Sequence, residues 1–201
     1  MDEGGFFING MPRIMHSQGN EVYVCPVLHS GDFSMSDLTI RPAKFADLPA
    51  LTELYNYYVR TSAATFDTVP FSVTRRQHWF LHYQDIGPYR LLVAVQDDSV
   101  VGYATSSRFR EKAAYATSVE TSVYVQHNVH GQGIGTKLYT RLFEVLANED
   151  VHRAYAGIAL PNPASIALHT RFGFSDIGVY HEVGRKFDRY WSVQWLEKPL
   201  S

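Results

Sequence analysis

The stretch Ser122-Val123-Tyr124-Val125-Gln126-His127-Asn128-Val129-His130-Gly131-Gln132-Gly133-Ile134-Gly135 carries the reading of the whole chain. Its β-branched, apolar start predicts a strand, its glycines a tight turn, and the spacing from Thr136 to Leu146 a helix. A strand, a glycine turn and a helix start present free backbone N–H groups suited to phosphate oxygens. A hairpin turn, or a helix start packed close on a sheet, would use the same glycines. The strand before and the amphipathic helix after both favour the phosphate reading. Further along lies a second cluster, Leu160-Pro161-Asn162-Pro163-Ala164-Ser165, closing on Leu168-His169 and Gly173-Phe174.

Working outward, Thr117 to Val125 forms the strand. Alternation places Val119, Thr121, Val123 and Val125 on one face and Ser118, Glu120, Ser122 and Tyr124 on the other. Thr136 to Asn148 is helical, with Leu138, Leu142, Val145 and Leu146 inward. Ala154 to Leu160 predicts a strand and Ser165 to Phe172 a helix. Ile177 to Val183 and Tyr190 to Leu196 predict a hairpin about Gly184-Arg185-Lys186-Phe187-Asp188. Toward the N-terminus, Thr39-Ile40-Arg41 is a short strand. A helix starts at Ala46-Asp47-Leu48-Pro49, with Asp47 as N-cap and Pro49 in the first turn. Leu51, Leu54, Tyr55 and Tyr58 give it one buried face. Phe71 to Tyr83 is a second helical stretch. Leu91 to Val95 and Val100 to Ala104 flank Gln96-Asp97-Asp98-Ser99, a hairpin. The order is α/β: a single mixed, mostly antiparallel twisted sheet with helices on both faces.

A length of 201 residues with 45% hydrophobic content fits one medium domain with a full core. Net charge is −2 with both signs interspersed, which leaves no electrostatic footprint for nucleic acid. The single cysteine, Cys25, excludes an internal disulfide framework, suits a reducing compartment and reads as an inert free thiol. The N-terminus opens Met1-Asp2-Glu3, acidic where a secretory signal needs positive charge. Its apolar runs, Phe6-Phe7-Ile8 and Val22-Tyr23-Val24, are too short for a membrane span. The expectation is a soluble cytoplasmic protein without a membrane partner. Residues 1–36 read as an N-terminal extension, either disordered or upstream of a natural start at Met35, and 37–201 as the functional domain. The histidines lack metal-ligand spacing, so no metal is expected.

Acyl transfer from a thioester to an amine needs a held diphosphate, a polarised carbonyl, a proton acceptor for the amine and an exit for the thiolate. The turn from His130 to Gly135 meets the first need. A backbone N–H near Tyr124 or Val125 could meet the second. Glu120, on a mid-sheet strand, can serve as general base if the cleft around it is partly dry; otherwise it is a solvated charge on a sheet face. His169, four residues after Ser165, is either a proton carrier near the sulfur or a helix histidine hydrogen-bonded in the core. Arg110 and Lys112 are placed to hold an acidic substrate group, while Arg108 reads as a solvated loop residue.

Five motifs together resemble the GNAT N-acetyltransferase superfamily, and within it the phosphinothricin and methionine sulfoximine acetyltransferases. They are Thr61-Ser62-Ala63-Ala64-Thr65-Phe66, Glu120 to Val125, Gly131 to Gly135, Leu160-Pro161-Asn162 with Leu168-His169, and Val183-Gly184-Arg185-Lys186-Phe187. The resemblance implies the GNAT acyl-CoA N-acyltransferase fold, acetyl-CoA as co-substrate, direct transfer to a small amino-acid-like amine, and a cytoplasmic homodimer. It implies that Glu120 is the catalytic glutamate and that His169 fills a slot where many members carry a tyrosine near the leaving sulfur. Arg110, Glu111, Lys112, Glu120, Thr121 and Ser122 would line the acceptor, with Phe66 and Tyr115 as walls. Val123, Tyr124 and Val125 would meet the acetyl-pantetheine arm, and Asn162 the pantetheine. Gly131, Gln132, Gly133, Ile134, Gly135 and Thr136 would meet the diphosphate. Two positions depart from the motif. His130 stands where it usually has Arg or Gln, and Tyr190-Trp191-Ser192 where it has Trp-x-Asp. Transfer to a protein or peptide amine, or non-catalytic acyl-CoA sensing, are the alternative functions.

Overall fold

The computed structural model of the protein describes residues 38–200; the extension expected over 1–36, with Met35 and Cys25, lies outside them. Strand β2 (Arg90–Gln96) builds two layers from one run of sequence. Leu91 and Val93 pack with Leu51 and Leu54 in one core, whereas Leu92 and Ala94 pack with Leu138 and Leu142 in the other. A strand buried on both faces is apolar throughout, which is why Leu91 to Val95 lacks alternation. The first face is covered by α1 (Leu48–Thr61) and α2 (Val73–Phe80), the second by α3 (Ile134–Leu146). Helix α4 (Pro163–Arg171) lies against α3, with Tyr139 and Phe172 rings edge to face at 5.6 Å.

The remaining strands are β1 (Thr39–Pro42), β3 (Ser99–Arg108), β4 (Ser118–Val125), β5 (Arg153–Ala159), β6 (Ser175–Lys186) and β7 (Arg189–Pro199). They form one sheet in the order β1-β2-β3-β4-β5-β7-β6. Only β4 and β5 run parallel. Their ladder pairs Ser118 to Glu120 with Arg153 to Tyr155 and then stops, although β4 continues to Val125 and β5 to Ala159. The two strands therefore part after Glu120 and leave a wedge in the sheet. That wedge positions the site.

Element boundaries differ from the sequence expectation for identifiable reasons. Helix α3 starts at Ile134 rather than Thr136, because Gly133 at φ 75° turns the chain directly into the helix. Its buried stripe is Ile134, Leu138, Tyr139, Leu142 and Leu146; Val145 sits at the edge of that stripe, half-buried. Asp47 precedes α1 as expected but does not cap it with its side chain. Its carboxylate instead accepts from both Arg41 nitrogens, at 2.7 and 2.9 Å, and from the Lys44 amide at 2.7 Å. The Arg41 guanidinium holds the Asp47 carboxyl below its usual range. Helix α2 is shorter than Phe71 to Tyr83, since Ser72 caps it by accepting from the Arg75 amide at 3.2 Å.

The last hairpin is longer than expected. Gly184, Arg185 and Lys186 belong to the ladder, opposite Trp191, Tyr190 and Arg189, and the turn is Phe187-Asp188, with φ of 54° and 56°. Gly184 serves a tertiary purpose: a Cβ there would lie 2.2 Å from the Phe66 ring.

Candidate active site

Register decides which groups β4 offers the wedge. The Gln126 amide donates to the Val101 carbonyl at 2.8 Å, continuing the antiparallel β3–β4 pairing. Inter-strand bonds in such a ladder recur every second residue. The amides of Tyr124 and Ser122 thus point to β3, and those of Val123 and Val125 point toward β5, where the ladder has ended. Of the two positions named from sequence for a carbonyl-polarising N–H, Val125 has the geometry and Tyr124 does not. The Val125 carbonyl is engaged: it accepts from the Tyr58 hydroxyl at 2.5 Å and lies 3.0 Å from His130 Nε2.

The wedge opens into a cleft of about 730 Å³. Thr121 to Val125 form one wall, Ala156 to Ala159 the other, and Gly131, Gly133, Ile134, Gly135 and Thr136 the end. Gly131 and Gly133 adopt φ of 81° and 75°, conformations open to glycine without strain. They aim the start of α3 at the cleft, where its unpaired amides and dipole favour an anion. Gln132 is exposed and lines neither cavity of the site. Asn162 lines the cleft while its Oδ1 accepts from the Ser165 amide at 3.1 Å, so it also caps α4. A long, open-ended cleft with released strand amides and a glycine-built anion cradle fits acetyl-CoA.

Glu120 occupies the last paired rung, opposite Tyr155 of β5 and Ser107 of β3. It is half-buried, and burial raises its carboxyl pKa while the Arg110 charge opposes the rise. It lines neither cavity but shares a sheet face with Ser122, which lines both. Beside it is an aromatic ledge. The Phe109 and Tyr155 rings stack at 4.2 Å, Tyr115 approaches Phe109 at 6.0 Å, and the Arg110 guanidinium lies 4.0 Å over Phe109. Arg110, Glu111, Lys112 and Tyr115 are exposed on the β3–β4 connection, with Glu111 paired to Arg108 at 3.3 Å. Phe66 packs on Gly184. The structure therefore gathers Thr121 to Val125, Gly131, Gly133 to Thr136 and Asn162 in the cleft, whereas Phe66, Arg110, Glu111, Lys112, Tyr115, Glu120 and Gln132 line neither cavity.

His169 is 3% exposed, and both ring nitrogens are engaged. Nδ1 lies 2.7 Å from the Ser165 carbonyl, which can only accept, so Nδ1 carries the proton. Nε2 therefore accepts from the Tyr139 hydroxyl at 2.9 Å. Burial lowers the His169 pKa. Both nitrogens thus have protein partners, as the core-histidine alternative expects, while the residue also lines the cleft beside Ser165 and Leu168.

Sequence reading missed three side chains here. Tyr58, taken for core, ties α1 to the end of β4. Arg171 lines the cleft and brings a permanent charge to a site where His130 replaces one. Arg76 is buried in a second cavity, of about 250 Å³, which shares Ser122 and Tyr124 with the cleft. Its spacing from Trp79, one helical turn, was the available signal.

A profile of the acetyltransferase (GNAT) domain matches residues 40–195. The chain is 56% identical to a phosphinothricin N-acetyltransferase of Streptomyces coelicolor, covering 82% of this chain and 98% of that one. It is 35% identical to an L-methionine sulfoximine/L-methionine sulfone acetyltransferase of Pseudomonas aeruginosa, covering 81% and 94%. Among solved structures, a GNAT superfamily phosphinothricin acetyltransferase from Sinorhizobium meliloti, in complex with AcCoA, superposes with a TM-score of 0.78 at 32% identity, covering 82% and 89%. With its parted β4 and β5 and its glycine-led α3, this chain belongs to the GNAT family of N-acetyltransferases.

Proposed function

We propose that the protein transfers the acetyl group of acetyl-CoA directly to the α-amine of a small amino-acid analogue of the phosphinothricin or methionine sulfoximine type, with Glu120 as general base. One observation carries the reading: Glu120 stands on the last rung of the β4–β5 ladder, and the far end of the same strand leads into the glycine turn. The names of the relatives support the acceptor class.

When bound, acetyl-CoA supplies an activated thioester carbonyl. Gly131, Gly133, Ile134, Gly135 and Thr136, with the helix start behind them, hold the diphosphate, and Arg171 brings positive charge beside it. The Val123 and Val125 amides hold the pantetheine arm and stabilise charge developing on the carbonyl oxygen; Asn162 closes the opposite wall. Glu120, poised by burial, takes a proton from the ammonium group directly or through water. Arg110 limits that poise, and with Phe66, Glu111, Lys112, Tyr115, Thr121 and Ser122 surrounds the acceptor. His169, neutral and doubly bonded, braces α4 against α3. The same reading takes 37–201 as the working domain of a cytoplasmic homodimer that uses no metal. Its effect would be resistance to antibiotic or herbicide amino-acid analogues. Among the described residues no helix is long and apolar enough to cross a membrane.

Thiol release from acetyl-CoA, followed with L-phosphinothricin, L-methionine sulfoximine and short peptides, tests the proposal. Release with the two analogues, and mass-spectrometric detection of their N-acetyl products, is expected. Release with peptides alone moves the acceptor to protein amines. Coenzyme binding without release in any arm makes the protein a sensor.

A further inference from the structure

Arg76 is the most unusual charge in the described chain. It is 4% exposed, yet its Nε and Nη2 are buried without hydrogen-bond partners. Among the described residues it makes no ion pair within 4.0 Å. The guanidinium plane is held by π faces, with its carbon 3.9 Å from the Trp79 ring centre and 4.1 Å from that of Tyr55. The nearby carboxylate of Asp67, on the same cavity wall, is taken by the Tyr55 hydroxyl. Stacking recovers part of the cost of burying a cation, but it satisfies no N–H group. Nε and Nη2 lie on one edge of a guanidinium and donate in parallel, the side-on fork that matches the two oxygens of an oxyanion.

Arg76 also lines a small, largely aromatic cavity, from which its Nε and Nη2 are themselves closed off. At about 250 Å³ it falls below the ~300–1,000 Å³ of drug-sized sites. Tyr83 and Ser107 add a hydroxyl pair, 2.8 Å apart, at its wall. Ser122 and Tyr124 separate it from the coenzyme cleft and belong to both. Ser122 lies one alternation from Glu120 on the same face of β4. A molecule anchored at Arg76 would therefore extend toward the region where transfer is proposed.

We propose that Arg76 is the acceptor's anion receptor, taking a carboxylate or phosphinate of an amino-acid substrate on the Nε–Nη2 edge while the amine faces Glu120. This rests on the amino-acid acceptor reading above. Both nitrogens are shielded from water, so an anion that reaches them binds desolvated, where a charge-assisted fork is strongest. Arg110 and Lys112, exposed on the other side of Glu120, are left to act at the mouth.

The test combines turnover with direct binding, using wild type, Arg76→Gln and Arg76→Lys. The acceptors are L-phosphinothricin, L-methionine sulfoximine and the α-carboxamide of methionine sulfoximine. Arg76→Gln should raise KM for the anionic acceptor about 10- to 100-fold, the loss of a charge-assisted pair, with KM for acetyl-CoA unchanged. Arg76→Lys, which keeps charge without the fork, should fall between. If Arg76 binds the α-carboxylate, both amino acids weaken in Arg76→Gln and the carboxamide, already poor with wild type, does not change. If it binds the phosphinate, only L-phosphinothricin weakens. The proposal is overturned if acids and carboxamide shift together, or if only the melting temperature drops, which would make Arg76 an aromatic staple. Should wild type acetylate neither analogue, the acceptor reading fails. Calorimetric titration of L-phosphinothricin into wild type and Arg76→Gln then decides the anion site alone: a difference keeps it and equal binding removes it.

Discussion

The Tyr139 hydroxyl donates to His169 Nε2 inside the α3–α4 contact, at 2.9 Å, because Nδ1 is committed to the Ser165 carbonyl. The pair joins α3, which follows the glycine turn, to α4, whose N-cap Asn162 lines the cleft. Removing the imidazole by His169→Ala leaves a buried hydroxyl without its acceptor and should cost about 1–3 kcal/mol. The pH dependence follows from the lowered His169 pKa. Protonation is easier in the unfolded chain, so this contribution is complete above the unfolded histidine pKa of about 6.5 and is lost as pH falls through it toward the folded value. Thermal melts at pH 8 and pH 5 should show wild type losing more stability than His169→Gln. Equal losses would remove the assignment.

Glu120 predicts an opposite pairing of activity and stability. Glu120→Gln should lower kcat by about 10²–10⁴-fold, roughly 2.7–5.5 kcal/mol of barrier, with coenzyme binding intact. Its carboxyl pKa is raised by burial, so the charged form destabilises the fold. That penalty sets in as pH rises through the unfolded carboxyl pKa toward the folded one and is complete at neutral pH. The variant should accordingly melt higher than wild type at pH 7 while turning over far more slowly. Stopped-time assays and melting curves on the same preparation check both.

Arg110 opposes the rise of the Glu120 pKa. In Arg110→Gln the carboxylate loses that support, and the acidic limb of the kcat/KM profile should move to higher pH. A pH–rate profile with saturating acetyl-CoA reads the shift directly; an unmoved limb would disconnect the two residues.

At Gly184 the missing side chain is a spatial requirement. Gly184→Ala places a Cβ 2.2 Å from the Phe66 ring and should cost about 1–3 kcal/mol by overpacking. Adding Phe66→Ala should return most of that cost, a non-additivity that a double-mutant cycle measures by denaturant unfolding.

Gly133 tests the cradle. A Cβ there meets nothing within 4 Å, but φ of 75° strains an alanine by about 1–2 kcal/mol. Gly133→Ala should raise KM for acetyl-CoA and leave that for the acceptor unchanged, as two-substrate initial-rate kinetics would show.

Local chemistry was legible where it acts locally. The Asp97-Asp98 turn could be read from sequence because two short polar residues tolerate the positive φ of 47° and 58° that a tight hairpin needs. Gly184 misled for the converse reason: it resembles a turn glycine, yet the turn falls at Phe187-Asp188 and the glycine answers to Phe66. Ser192 was seen only as a departure from a motif. In the fold its Oγ accepts from the Glu182 amide at 3.1 Å, at the irregular step between Tyr180 and Gly184.

By itself the amino-acid order determined the strand, glycine turn and helix around Ser122 to Gly135, the alternation that sends Glu120 and Ser122 to one face, and the mixed α/β class. Periodicity and backbone preference are properties of neighbours in the chain. Tertiary structure alone decided that β4 and β5 part after Glu120, that both His169 nitrogens have protein partners, and that Arg76 is buried with Nε and Nη2 unpartnered. Those outcomes depend on which distant elements approach, since hydrogen-bond satisfaction and desolvation are set by partners that no local pattern names.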